Sequence, residues 1–180
     1  MKITLLFLNQ LLVSGLLFLA TPASAARCSN EIARGIDDSE TDYYDAKRAA
    51  CLVKESKALK ASVFGVTSHR PDRAWKLTHA LLCGKGADAE ATIRPRILNP
   101  IKHLVVGYDQ EKDTVTREYR TARDLMTRGC AFTPDAEALS GSVLKISYIP
   151  YSPHAYCGAA FILEFRKGDW LITETQGACD

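Results

Sequence analysis

Ala159-Ala160-Phe161-Ile162-Leu163-Glu164-Phe165-Arg166, Lys167-Gly168, then Asp169-Trp170-Leu171-Ile172-Thr173-Glu174-Thr175 is the stretch that decides the fold class. Phe161, Leu163 and Phe165 recur at every second position, the period of a strand with one buried side. Lys167-Gly168 makes a tight two-residue turn, and Trp170–Thr175 is the returning strand. A two-residue loop sets Phe165 opposite Trp170, Leu163 opposite Ile172 and Phe161 opposite Glu174. The first two pairs join large apolar groups, which supports this register. Carried further, it sets Cys157 opposite Ala178, so a Cys157–Cys179 bridge needs a bulge, supplied by Gly158 or Gly177. Otherwise each cysteine goes elsewhere, for instance to Cys130.

Working outward, Leu144, Ile146 and Tyr148 alternate with Lys145, Ser147 and Ile149, a further strand. Leu104–Tyr108 reads as a strand, Asp109–Asp113 as a turn and Thr114–Tyr119 as its return. Thr121 with Asp124 caps a short helix through Arg128, stopped by Gly129. The alternative is one longer helix from near Thr116, with Tyr119, Ala122, Leu125 and Met126 inward.

The first half reads helical. Ser39 N-caps a helix with Asp37, Asp38 and Glu40 near its positive end. Its apolar stripe runs Ala46, Ala49, Leu52, Val53, Ser56, Leu59, Val63. Lys54, Lys57 and Lys60 fall in its last turns, where cations suit the dipole. A second helix opens at Pro71-Asp72, carries Ala74, Leu77, Thr78, Leu81 and Leu82 on one face, and stops at Gly84. A short helix fits Asp88–Ile93, and Pro95 and Pro100 prevent a long one.

Ahead of all this stands an export signal. Lys2 is followed by an apolar run from Ile3 to Ala20, and Thr21-Pro22 precedes Ala23-Ser24-Ala25, a small-x-small cleavage site. Arg27 stands where a lipoprotein signal needs a small residue before its cysteine. The expected organisation is a cleaved signal over 1–25 and one soluble α+β domain over 26–180, in the periplasm or secreted, with membrane contact only through the uncleaved signal. Cleavage removes Lys2 alone among charged residues, so the formal charge of +2 falls to +1. A near-neutral domain lacks the concentrated basic surface that nucleic acid requires.

Cys28, Cys51, Cys83, Cys130, Cys157 and Cys179 all lie beyond the signal, an even set in an exported chain, and so read as disulfides. A Cys51–Cys83 bridge between the two helices is geometrically reasonable, although six cysteines allow about fifteen connectivities. The fold expected is therefore N-terminal helices packed on a C-terminal curved antiparallel sheet, stapled by disulfides.

The Tyr43–Lys60 helix, Thr121–Arg128 after a short hairpin, and the closing strand Asp169-Trp170-Leu171-Ile172 give an element order similar to the NTF2-like (SnoaL-like) α+β cone. The resemblance spans most of the mature chain and is one of layout, without a specific motif. It implies a curved sheet wrapped around the long helix and a concave pocket between them. Catalytic members of that family use an acid/base pair in the cone, and no position here matches such a pair.

Candidate chemistry is sparse. His69, His79, His103 and His154 lack metal-pair spacing and no cysteines form C-x-x-C, so neither metal nor cofactor is expected. Ser152 and His154 do not make a triad, since there is no G-x-S-x-G elbow. Gly84-Lys85-Gly86 follows a helix without P-loop spacing and reads as helix termination. Arg94, Arg96, Arg117, Arg120, Arg123 and Arg128 form either a basic patch or, with Glu118 and Asp124 interspersed, a solvated face. The unusual segment is Tyr148–Cys157, with three tyrosines, two prolines and a histidine between strands. Tyr148, Tyr151, His154 and Tyr156 are its recognition candidates, against the plainer reading that the tyrosines pack back on the sheet.

The expectation is a non-catalytic envelope protein that binds a protein partner or small ligand, such as an inhibitor or immunity-type protein. The alternative is a small secreted enzyme with His79 or His103 facing an acid in a cone-shaped pocket.

Overall fold

The computed structural model describes residues 48–107, 112–151 and 157–179. The signal segment, Cys28 and Ser39 fall outside these residues, as do His154 and Tyr156 of the aromatic connection. Helices α1 (Val53–Val66), α2 (Pro71–Cys83) and α3 (Gly86–Ile93) come first. A 3-10 turn, Arg94–Arg96, leads into β1 (Ile97–Val105) and β2 (Thr114–Glu118). Then follow α4 (Ala122–Leu125), β3 (Ala131–Ser140), β4 (Val143–Pro150), β5 (Cys157–Arg166) and β6 (Asp169–Cys179). The helices pack on a six-stranded sheet of order β2-β1-β6-β5-β4-β3. The α+β class is thus present, with helices packed on the sheet. The sheet is mixed and not purely antiparallel, because β1 runs parallel to β6.

The hairpin forms as its turn residues dictate. Lys167 and Gly168 both adopt positive φ, 49° and 85°, the twist a two-residue loop needs to match its strands. Phe165 faces Trp170 and Leu163 faces Ile172, and then the register departs from the expected one. A bulge between Ile162 and Leu163 brings Phe161 opposite Thr175, not Glu174, and Cys157 opposite Cys179, not Ala178. The extra residue is Thr173, so neither Gly158 nor Gly177 is the bulge.

Among the described residues the first helix begins at Val53, and residues 49–52, inside the Tyr43–Lys60 reading, are not helical. Ala49 is taken into a bridge with Phe132, and the Ala50 amide donates to the Ala131 carbonyl at 2.9 Å. The backbone there is spent on the sheet and cannot close helical turns. Leu52 and Val53, expected inward, are 43% and 73% exposed. Lys54 and Lys57 consequently stand in the first half of α1 and Lys60 near its middle, none of them in the last turn.

Two further boundaries shift. The helix expected through Arg128 ends at Leu125, and β2 occupies the span from which a longer helix would have started. The capping box is present: the Thr121 amide donates to Asp124 Oδ2 at 2.8 Å and the Asp124 amide to Thr121 Oγ1 at 3.3 Å. Residues 131–140, unassigned by the sequence reading, form β3. Pro134 argues against a central strand, but β3 is an edge, and its register shifts between Phe132 and Asp135, where proline is tolerated.

One core lies between the helices and the inner face of the sheet. Leu59 and Val63 of α1, Leu77 and Leu81 of α2, and Leu144, Ile146, Leu163, Trp170 and Ile172 of the strands are buried in it. Cys51 and Cys83 are disulfide-bonded with Cα atoms 5.4 Å apart, tying the entry of α1 to the end of α2. Gly84 is required by close approach: a Cβ there would lie 2.3 Å from the Ala80 carbonyl oxygen and 2.4 Å from Ala89 Cβ.

Candidate functional site

The inner face of the sheet is filled near the β5–β6 turn and open at its other end. Ile101, His103 and Val105 of β1 share one face by strand parity, and Ile101 is fully buried in the core, which carries His103 to the inner side. Its register partner on β6 is Thr175, and His103 Nδ1 shares a 2.8 Å hydrogen bond with Thr175 Oγ1. Across β5 and β4, Tyr148 stacks on Phe161 with ring centroids 5.2 Å apart and planes 22° from parallel. Burial pushes the Tyr148 phenol up to about 12.

The opposite wall comes from the connection around α4. The Thr127 amide donates to the Leu81 carbonyl at 2.9 Å and the Gly129 amide to the Leu82 carbonyl at 2.8 Å. Thr127 Oγ1 adds a 2.7 Å bond to the Leu82 carbonyl. Carbonyls left unpaired at the end of a helix thereby fix Met126–Cys130 in place. The Tyr151 amide donates to the Cys130 carbonyl at 3.1 Å, and Cys130 and Cys157 are each disulfide-bonded.

These walls enclose a cavity of about 400 Å³, whose lining includes His103, Arg120, Asp124, Met126, Tyr148, Tyr151, Phe161 and Thr175. Arg120 is placed by Asn99, whose side chain acts as a short stretch of ladder: its amide donates to the Arg120 carbonyl and its Oδ1 accepts the Arg120 amide, both at 3.0 Å. The Arg120 guanidinium pairs with Glu118, while its buried Nε has no partner. A hydrogen bond from Thr116 holds the Glu118 carboxyl below the usual range, with the charge of Arg120 acting the same way. Asp124 is likewise held low, first by the Thr121 amide and then by the Thr121 hydroxyl. A second cavity of about 320 Å³ is lined by Lys145, Ser147, Ile149 and Ala178, residues that carry no cluster of reactive groups.

Of the recognition candidates, Tyr148 and Tyr151 meet at the pocket. Of the two histidines considered for acid/base work, His103 lines the pocket. His79 is exposed on α2 beside Trp75, ring centroids 5.3 Å apart. His69 is exposed and stacks on Phe165 at 4.8 Å. The hydrogen-bond partner of His103 is a hydroxyl and not an acid. Among the described residues, no group of three or more His, Cys, Asp or Glu side chains is arranged to hold a metal. Sequence reasoning missed Thr175, Met126 and Arg120 as pocket residues. The Thr121 capping box, which opens the short helix ahead of Met126, is a signal for that residue alone.

No protein-family model and no curated protein matches the chain. Among solved structures, it is similar to an NTF2-like protein of unknown function from Shewanella baltica, with 12% identity, 62% of this chain and 96% of that chain covered, and a TM-score of 0.36. An NTF2-like protein of unknown function from Silicibacter pomeroyi shares 9% identity over 71% of this chain and 98% of its own, with a TM-score of 0.34. A hexachlorocyclohexane dehydrochlorinase shares 12% identity over 69% of this chain and 85% of its own, with a TM-score of 0.33.

Proposed function

We propose that the chain is an exported, non-catalytic binding protein whose pocket takes a small, largely apolar ligand bearing one hydrogen-bonding group. The observation that carries this reading is the lining of the 400 Å³ pocket: Tyr148, Tyr151, Phe161 and Met126 supply apolar and aromatic surface, and His103, Thr175 and Arg120 supply a few polar groups. Ligand sites commonly combine such a lining with a few orienting polar atoms. Tyr148 and Tyr151 contribute to the cavity wall, which favours a small ligand over a protein partner such as a toxin or hydrolase. The Cys51–Cys83 bridge fits an oxidising compartment, in keeping with export.

The test uses Gly177, which lines the pocket. A Cβ there would meet only His103 Cε1, at 3.9 Å, so Gly177→Val fills the cavity without a backbone clash. Ligand-observed NMR with a set of small aromatic compounds should find binders to the wild type that the folded variant no longer binds. Equal binding by both proteins would remove this pocket as the site.

His103 in the pocket favours one second reading, the small enzyme. Turnover of a bound compound that vanishes in His103→Gln, with binding retained, moves the assignment there.

A further inference from the structure

The pocket uses one of the six arginines that stand out between positions 94 and 128. Arg96 is committed to Asp169, at 3.1 Å. Arg117 lies on β2 opposite Lys102, and Arg128 occupies a turn at φ 56°. Arg94, Arg120 and Arg123 instead converge on a separate cavity of about 490 Å³ between α3, the start of β1 and α4.

Among the described residues, Glu90 is the one carboxylate in its lining. Glu90 Oε1 accepts from Nε of Arg123 at 3.2 Å and lies 3.2 Å from its Nη2, and Glu90 Oε2 lies 3.7 Å from Arg94 Nη2. One acid therefore holds two guanidiniums side by side. Glu90 itself is 20% exposed, whereas Arg94 and Arg123 are 75% and 68% exposed. Their remaining N–H edges are open to a ligand. The nearby acids are engaged outside the lining: Glu118 pairs with Arg120, and Asp124 accepts from the Thr121 amide and hydroxyl. With Glu118 set against Arg120, Arg94 and Arg123 share the single carboxylate of Glu90 and keep one positive charge in excess.

We propose that this cavity binds the dianionic group of a phosphate monoester, with Arg94 and Arg123 as its paired forks and Arg120 as the wall shared with the pocket. Guanidinium is suited to this group because its planar donors match phosphate oxygens two at a time. The unmatched positive charge favours a phosphate ester, which carries about −2 at neutral pH. The site shares only Arg120 with the pocket.

Titration with inorganic phosphate at constant ionic strength, followed by amide NMR, tests it. The expected result is saturable binding that shifts the amides of Glu90–Arg94 and Thr121–Arg123. Binding weakens about tenfold or more in Arg94→Ala/Arg123→Ala, since charge-assisted bonds are lost. It tightens severalfold in Glu90→Gln, where the competing carboxylate is gone. Both arginines are largely exposed, so the double variant keeps its fold. Absence of saturable binding, wild-type affinity in the double variant, or no tightening in Glu90→Gln would overturn the proposal.

Discussion

The two ends of the sheet's inner face are built from the same strands and do opposite things. Toward the β5–β6 turn, Leu163, Trp170 and Ile172 are all but fully buried, and Trp170 Nε1 donates to the His69 carbonyl at 2.7 Å. Helix α2 lies in the same core through Leu77 and Leu81. A few residues along the same strands, the corresponding positions hold Ala159, Thr175 and Gly177, and the cover is a four-residue helix with its flanking loop. Large side chains under a long helix make a closed core. Small and hydroxylated ones under a short capped helix leave a pocket. The difference teaches that the pocket is a local withdrawal of side-chain volume from a continuous face, not a separate architectural unit.

Breaking the closed end should have the largest effect. Trp170→Ala removes a fully buried indole and its hydrogen bond, and should cost about 4 kcal/mol in urea unfolding. A loss below about 1 kcal/mol would mean that this end is not the stability centre. Next comes the staple beside the open end. Cys51→Ser/Cys83→Ser releases a crosslink spanning 32 residues and should cost about 3 kcal/mol. Hydrogen exchange should accelerate first at the Thr127 and Gly129 amides, which are anchored on the last turn of α2. Uniform acceleration across the sheet would mean that this bridge does not hold the end of α2 that anchors Met126–Cys130.

The smallest effect belongs to Tyr148, and its sign follows from linkage. The folded phenol holds its proton up to about pH 12, whereas the unfolded one releases it near pH 10. Between those values the unfolded chain binds fewer protons, so stability falls as pH rises. This contribution is intact below about pH 10 and lost through about pH 12. Thermal melts of Tyr148→Phe should show a shallower decline than wild type across that window. Parallel declines would place the phenol in contact with water.

Much of this contrast was legible in residues whose structure is local. Lys167-Gly168 sets the turn and the first two cross-strand pairs, Thr121 and Asp124 set the cap, and Cys51–Cys83 forms as its positions suggested. What escaped was set by pairing at a distance. β1 extends back to Ile97 through Pro100, at a point where its pairing with β6 is interrupted between Ile97 and Lys102. Read from Leu104 onward, the strand excluded His103. The start of α1 depended on Ala49 pairing with Phe132, more than eighty residues away, which no helical periodicity reports. The pocket inherits this limit, because its inward face is decided by register across four strands.

The bulge at Thr173 has a consequence for how such a protein changes over generations. Residues before it keep one parity and residues after it the other, so Thr175 and Gly177 turn inward while Glu174 turns out to meet Lys102 at 2.7 Å. Straightening the bulge with every residue kept would exchange those faces and offer Glu174 and Gln176 to the pocket, whereas loss of the Thr173 codon would leave a regular ladder with Thr175 and Gly177 still inward. The pocket wall therefore tolerates loss of the Thr173 codon and changes only when the strand beyond it slips by one residue.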